Sequence, residues 1–165
     1  MKNTALWSLV GVLLLAVIGV ALYRVWPLLH PEVALQVPAD PSCDLRAGPC
    51  ISTLHETGSV SFSISPNSIP LVKPLQLRVE LQGLKAEQVE VDFSGVDMDM
   101  GFNRIRLEPQ GQGIYTGGGI LPVCVRDAME WEAKVLISND QSLSSIAYRF
   151  ITVRPGVPIP KRNNQ

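Results

Sequence analysis

Between Asn3 and Tyr23 the chain carries no charged residue and is built almost wholly from Leu, Val, Ala, Ile and Gly. About 20 apolar residues in a helix cross the roughly 30 Å hydrocarbon core of a bilayer, and only a helix pairs all of its own backbone there. A cleaved signal has a shorter apolar region, of about 7 to 15 residues, and a small-residue cleavage site. Here the run is longer and ends on Tyr23, Arg24 and Trp26, residues suited to a membrane interface. The spacing predicts a transmembrane signal anchor over residues 1–26. Lys2 and the amino terminus flank it on one side and Arg24 on the other, which leaves the positive-inside rule little to read. The two residues before the run are too few to form a domain, and the cysteines suit an oxidising compartment. The expected arrangement is therefore a single-pass protein with a cytoplasmic amino terminus and its carboxyl-terminal domain outside, which in a bacterium means the inner membrane and a periplasmic domain.

The remainder of the 165 residues suffices for one compact domain of ordinary size. With a net charge of -1 and no basic stripe, the chain has no electrostatic footprint for nucleic acid. The partners implied are the lipid bilayer and a membrane or periplasmic protein. Pro27, Pro31, Pro38 and Pro41 punctuate a stretch without sustained periodicity, which reads as a stiff tether. Together with the cysteine loop it occupies residues 27–57. The other end, residues 155–165, contains Pro155, Gly156, Pro158 and Pro160 and reads as a disordered tail.

Over residues 58–154 the signal is alternation. Val60, Phe62 and Ile64 share a face, then Leu75, Leu77, Val79 and Leu81, then Val89, Val91 and Phe93. Strands are also expected over Phe102–Leu107, Gly113–Tyr115, Ile120–Val125, Met129–Ile137 and Leu143–Val153. In the strand from Met129, the residues Met129, Trp131, Ala133, Val135 and Ile137 form the core side, and Glu130, Glu132 and Lys134 the other. Such a series predicts an all-β fold, an immunoglobulin-like antiparallel β-sandwich of seven or eight strands behind one amino-terminal transmembrane helix. The glycines from Gly111 to Gly119 flank a short strand and do not open a helix, so hairpin turns explain them better than a nucleotide loop.

Cys43 and Cys50 enclose a short loop with turn chemistry at its end, which suits a disulfide; a metal-binding or redox-active dithiol is the alternative. Cys124 is left over, on the opposite face from Val123 and Val125, and alternation alone does not say which face is core. Met98 and Met100 lie two apart in an extended stretch, so their thioethers project to one side and the Asp97 and Asp99 carboxylates to the other. Soft sulfur donors favour Cu(I). Met98, Met100 and Cys124, with Met129 as a further donor, would make a cuprous site if their segments meet; otherwise the methionines fill gaps in the core. His30 and His55 fall in the tether and beside the first strand, and read as solvated side chains. No Ser-His-Asp pattern, zinc motif or nucleotide loop is present, so an enzyme is not expected.

The series Met98-Asp99-Met100-Gly101-Phe102-Asn103-Arg104, Gly113-Ile114-Tyr115, Leu121-Pro122-Val123-Cys124 and Met129-Glu130-Trp131, behind a single anchor, resembles the FixH and YtkA-like group. The resemblance covers Ser59 to Val153. It implies a bacterial membrane-anchored sandwich associated with copper handling or with assembly of respiratory oxidases. By position, Met98 and Met100 match the group's methionine-bearing turn, Tyr115 its strand tyrosine and Trp131 its late tryptophan. The chain departs from copper proteins in which histidines accompany such methionines, since none stands between His55 and the carboxyl terminus; a site of sulfur alone suits Cu(I). The metal-free alternative is a structural or docking subunit of a membrane complex.

Overall fold

A computed structural model describes residues 2–29, 33–54, 58–123, 126–139, 142–154 and 156–158. It divides into two compact units, residues 1–32 and residues 33–165. The first contains helix α1, Lys2–Leu29. Its stretch Trp7–Arg24 is long and apolar enough to cross a membrane, and none of that stretch is buried against protein. The helix continues through Pro27, two residues before its end, where the missing N–H leaves one i→i−4 bond unmade in the last turn.

The second unit is mostly strand: β1 (Val33–Val37), β2 (Cys50–Leu54), β3 (Gly58–Ser65), β4 (Leu75–Gln82), β5 (Gln88–Gly95), β6 (Arg104–Gly111), β7 (Ile114–Gly119), β8 (Ala128–Ser138) and β9 (Leu143–Val153). These nine strands form one continuous sheet in the order β1-β9-β8-β5-β6-β7-β4-β3-β2. All pairings are antiparallel except β1 with β9, which is parallel.

The sheet curls over its own apolar face. β9 and β3 stand second and eighth in the order, yet the rings of Tyr148 and Phe62 lie 5.2 Å apart. The Tyr148 hydroxyl donates to the Val60 carbonyl at 3.3 Å, closing the same contact. The enclosed core is the alternating set: Val60, Phe62 and Ile64 from β3, Leu75, Leu77, Val79 and Leu81 from β4, Val89, Val91 and Phe93 from β5. With β5, and facing β3 and β4, come Met129, Trp131, Ala133 and Val135 from β8 and Ile146, Tyr148 and Phe150 from β9. Trp131 is fully buried, and its Nε1 donates to Thr152 Oγ1 at 2.9 Å, so the one polar atom of the ring is satisfied inside the core.

Two separate sheets were the expectation, and β6 is why one sheet forms instead. Its first half, Arg104 to Leu107, pairs with β5. Its second half, Glu108 to Gly111, pairs with β7. Pro109, which has no N–H to give to a ladder, sits beyond the handover in the half paired with β7. The hairpin to β7 turns at Gln112 and Gly113, both with positive φ. A side chain on Gly113 would overlap the Leu81 carbonyl, whose residue also donates its N–H to the Gly113 carbonyl at 2.8 Å. Gly117 and Gly119 are not turn residues, as the hairpin reading implied. They lie within β7, where Leu107 and Ile105 occupy the space their side chains would need.

Several expected boundaries move. The segment expected as tether contains both edge strands: Val33–Val37 becomes β1 and Cys50–Leu54 becomes β2. Only five residues long each, they carry too short an alternation to stand out between prolines. The expected strand at Phe102 begins at Arg104. Gly101 has φ of 75° and the Asp99 carboxylate accepts its N–H at 2.8 Å, so the backbone is turning where a strand was expected. Residues 120–123 form no strand; Pro122 lacks the N–H a ladder needs, and the Leu121 carbonyl accepts from Val72 N instead. The tail expected over 155–165 lies largely outside the described residues, as do His30 and His55.

Cys43 and Cys50 are joined in a disulfide, with Cα atoms 5.7 Å apart. Their loop packs into the domain: Leu45 is 1% exposed and belongs to the core cluster. The Arg46 guanidinium donates to the Ser68 carbonyl, at 2.6 Å, and to the Ile151 carbonyl of β9. It thereby ties the turn after β3 to β9, the same two regions that meet at Phe62 and Tyr148. Burial lowers the Arg46 pKa, against an opposing pull from the Asp44 carboxylate.

Candidate functional site

β5 ends at Gly95, which stands opposite Trp131 of β8, and Val96 N extends that pairing by donating to the Glu130 carbonyl at 3.0 Å. The chain then makes a turn through Asp97, Met98, Asp99 and Met100 before Asn103, whose carbonyl accepts from Phe93 N at 2.9 Å. Alternation persists through the turn. Met98 and Met100 are half-buried and pack against the core, while Asp97 and Asp99 are exposed. The soft side faces the protein and the hard side faces solvent.

Gly95 shows how closely the side chains of Met129 and Met100 approach the turn. A Cβ built there would overlap the Met129 Cε methyl and the Met98 carbonyl oxygen, and would touch Met100 Cγ at 3.2 Å. The space over Gly95 is therefore shared by Met129, from the start of β8, and by Met98 and Met100, from the turn after β5. Of the expected sulfur ligands, Met129 and Met100 bring their side chains to this point, and Met98 brings its backbone carbonyl. Cys124 lies outside the described residues.

The adjoining segments are linked to this turn. Arg126, two residues beyond Cys124 in the chain, reaches Asp97 at 3.5 Å. Asn103 Nδ2 donates to the Ile120 carbonyl at 3.2 Å, and Val72 N to the Leu121 carbonyl at 2.9 Å. The Arg126 and Asp97 side chains are each about half exposed, so their attraction is screened and holds position more than it stabilises. Around the turn stand large apolar side chains in water: Phe102 82%, Val72 63%, Val123 58% and Ile120 53% exposed. The Arg104 guanidinium lies 5.4 Å from the centre of the Phe102 ring.

Among the described residues, no three His, Cys, Asp or Glu side chains gather as a metal-binding group. A donor set here would be thioether, with or without the thiol of Cys124. Tyr115, matched to the group's strand tyrosine, is remote in role from the methionines: its hydroxyl donates to the Ala86 carbonyl at 3.2 Å. Trp131 is a core residue directly across from Gly95. The residue that sequence reasoning passed over is Gly95 itself, because close approach between β5, β8 and the turn is a tertiary fact with no local pattern. The chain matches no protein-family model and no curated protein.

Proposed function

We propose that this chain is a membrane-anchored binding and assembly module that holds Cu(I) through Met98, Met100 and Met129, with Cys124 as the thiolate donor. The observation that carries the reading is the approach of the Met129 and Met100 side chains over Gly95, beside the backbone carbonyl of Met98. Thioethers are soft, uncharged ligands that suit Cu(I) and leave Mg2+, Ca2+ and Zn2+ poorly served. Chain connectivity supports Cys124 as a fourth donor, since Arg126, two residues on, contacts the side chain of Asp97 next to Met98. The apolar stretch of α1 supports a bilayer anchor; the reading puts the amino terminus in the cytoplasm and the β unit in the periplasm of a bacterial inner membrane. In that compartment the Cys43–Cys50 bond would persist. The curled sheet, with β3 facing β9, is read as a closed relative of the immunoglobulin-like sandwich. Binding and delivery of copper to a respiratory oxidase under assembly, without catalysis, is the role that the likeness to the FixH and YtkA-like group supports.

The test uses the full chain in detergent, with ascorbate to hold copper as Cu(I) without exchanging into the disulfide. The chain should withdraw Cu(I) from a competing chelator, and Cys124→Ser and the double change Met98→Leu, Met100→Leu should each weaken uptake. Affinity should rise with pH toward the thiol pKa, because the thiolate is the ligand. No uptake by the wild type, or equal uptake by the variants, would remove these sulfurs as the site.

A second reading, a metal-free docking subunit of a membrane complex, is favoured by Phe102, Ile120, Val123 and Val72, exposed on segments joined by the Asn103 and Val72 hydrogen bonds. It predicts that Phe102→Ser abolishes co-purification with a membrane partner while the methionine changes leave it intact.

A further inference from the structure

We propose that Gly95 is the positioning residue of the methionine site: the absence of a side chain at this one position lets the side chains of Met100 and Met129 and the backbone of Met98 close on a common point. The inference rests on the Cu(I) reading above and specifies how the protein builds the site.

Three elements are pressed together at this position. Gly95 is the last residue of β5, Trp131 stands opposite it on β8, and Met129 lies two residues before Trp131 on the same face of that strand. The turn that follows brings the Met98 carbonyl and the Met100 side chain back over Gly95. The three close approaches differ in how easily they would yield. Met129 Cε is the tip of a flexible side chain and could swing aside. Met100 Cγ, at 3.2 Å, would have to give by a few tenths of an ångström. The Met98 carbonyl oxygen is backbone, so a Cβ at residue 95 would displace the turn itself.

Displacing that turn would move the donors. Met98 and Met100 are carried by it, and Asp97, on the same turn, is bound to Arg126. Gly95 does not have the positive φ seen at Gly101, Gly111 and Gly113, so its backbone would accept alanine; what excludes a side chain is space. The cost of a methyl group would therefore fall on the arrangement of the sulfurs, whose distances to one ion must agree within about 0.2 Å for full ligation.

The experiment compares the full chain with Gly95→Ala and Met129→Leu, measuring Cu(I) affinity by chelator competition in ascorbate and the unfolding midpoint of each protein without copper. A residue that only orients metal ligands typically changes affinity by about 10- to 100-fold. Gly95→Ala should fall in that range when affinity is referred to folded protein, and X-ray absorption should show fewer sulfurs around the copper than in wild type. A merely structural glycine would lower the midpoint and leave the affinity and sulfur count of the folded fraction unchanged, which would overturn the proposal. Should Gly95→Ala fail to fold, Met129→Leu decides, since it keeps the volume over Gly95 and removes one donor. It should weaken binding about tenfold or more with little change in midpoint, and binding equal to wild type overturns the shared site. The two levels separate cleanly: no uptake by wild type removes the Cu(I) reading together with this inference, whereas uptake by wild type matched by Gly95→Ala removes this inference alone.

Discussion

At the scale of single residues, Trp131 illustrates how packing and hydrogen bonding combine. Its ring is wholly enclosed and its only polar atom is bonded to Thr152 Oγ1. Trp131→Ala should cost about 3 to 5 kcal/mol, as large-to-small changes in cores do. Trp131→Phe, which keeps an aromatic body but leaves the Thr152 hydroxyl without this donor, should cost less. Denaturant melts of the two variants should rank in that order, and an unshifted midpoint for Trp131→Ala would refute the assignment of the β8 faces. Tyr148 gives a pH signature. Burial raises its phenol pKa, with a hydrogen bond from Ser52 acting in the opposite direction. A phenol ordinarily titrates near about 10. A raised folded value means that the protonated phenol stabilises the fold fully below about pH 10, and that this contribution is lost as pH climbs through the folded pKa. The gap in melting temperature between wild type and Tyr148→Phe should accordingly hold up to about pH 10 and shrink as pH rises beyond it. A gap independent of pH would mean that the hydroxyl is not held as described.

At the scale of elements, the cysteine loop is a clasp rather than part of a tether. It inserts Leu45 into the core and sends Arg46 to both Ser68 and Ile151. The turn it grips contains Ile69 and Val72, whose positive φ values of 45° and 55° are costly for β-branched side chains. Closing so short a loop in the unfolded chain removes entropy worth about 2 to 2.5 kcal/mol on the chain-entropy view. Unfolded, unreduced protein should show one reactive thiol and, after reduction, three, matching the three cysteines of the chain with one bond between Cys43 and Cys50. Three before reduction would contradict the pairing. Arg46→Ala should lower the melting midpoint in the oxidised protein, and amide exchange should quicken most in the Ser68 turn. Protection unchanged there would show that the guanidinium does not hold the turn.

For the whole molecule, the deciding feature is that β6, in the middle of the order, belongs to both halves of the sheet, pairing with β5 and then with β7. The sheet can therefore fold its apolar face inward without breaking into two, and β3 comes to face β9. Its two outermost strands, β1 and β2, are short and pair on one side only, which limits the edge each presents. The turn carrying the methionines follows β5, and the approach to it includes Arg126, just before β8, and Ile120, just after β7. The site thus draws on segments far apart in sequence, and its integrity depends on the fold. Unfolding midpoint and Cu(I) affinity should fall together in variants that disturb the curl, such as Trp131→Ala, and separately in Met129→Leu.

The amino-acid sequence by itself determined the apolar helix, the predominance of strands and the apolar face of β3, β4, β5 and β8, because a period of two is a local property that burial then enforces along each strand. It also made the Cys43–Cys50 bond legible, since a loop so short keeps its ends near each other in almost any conformation. What only the tertiary structure decided was which strand lies beside which: the handover within β6, the recruitment of Val33–Val37 and Cys50–Leu54 as edges, the burial of Leu45, and the meeting of Met129 with Met98 and Met100 over Gly95. Alternation states which residues share a face but carries no information about the neighbour across the gap. That choice belongs to long-range pairing and to the room left by one missing side chain, and neither is written in any short stretch of the chain.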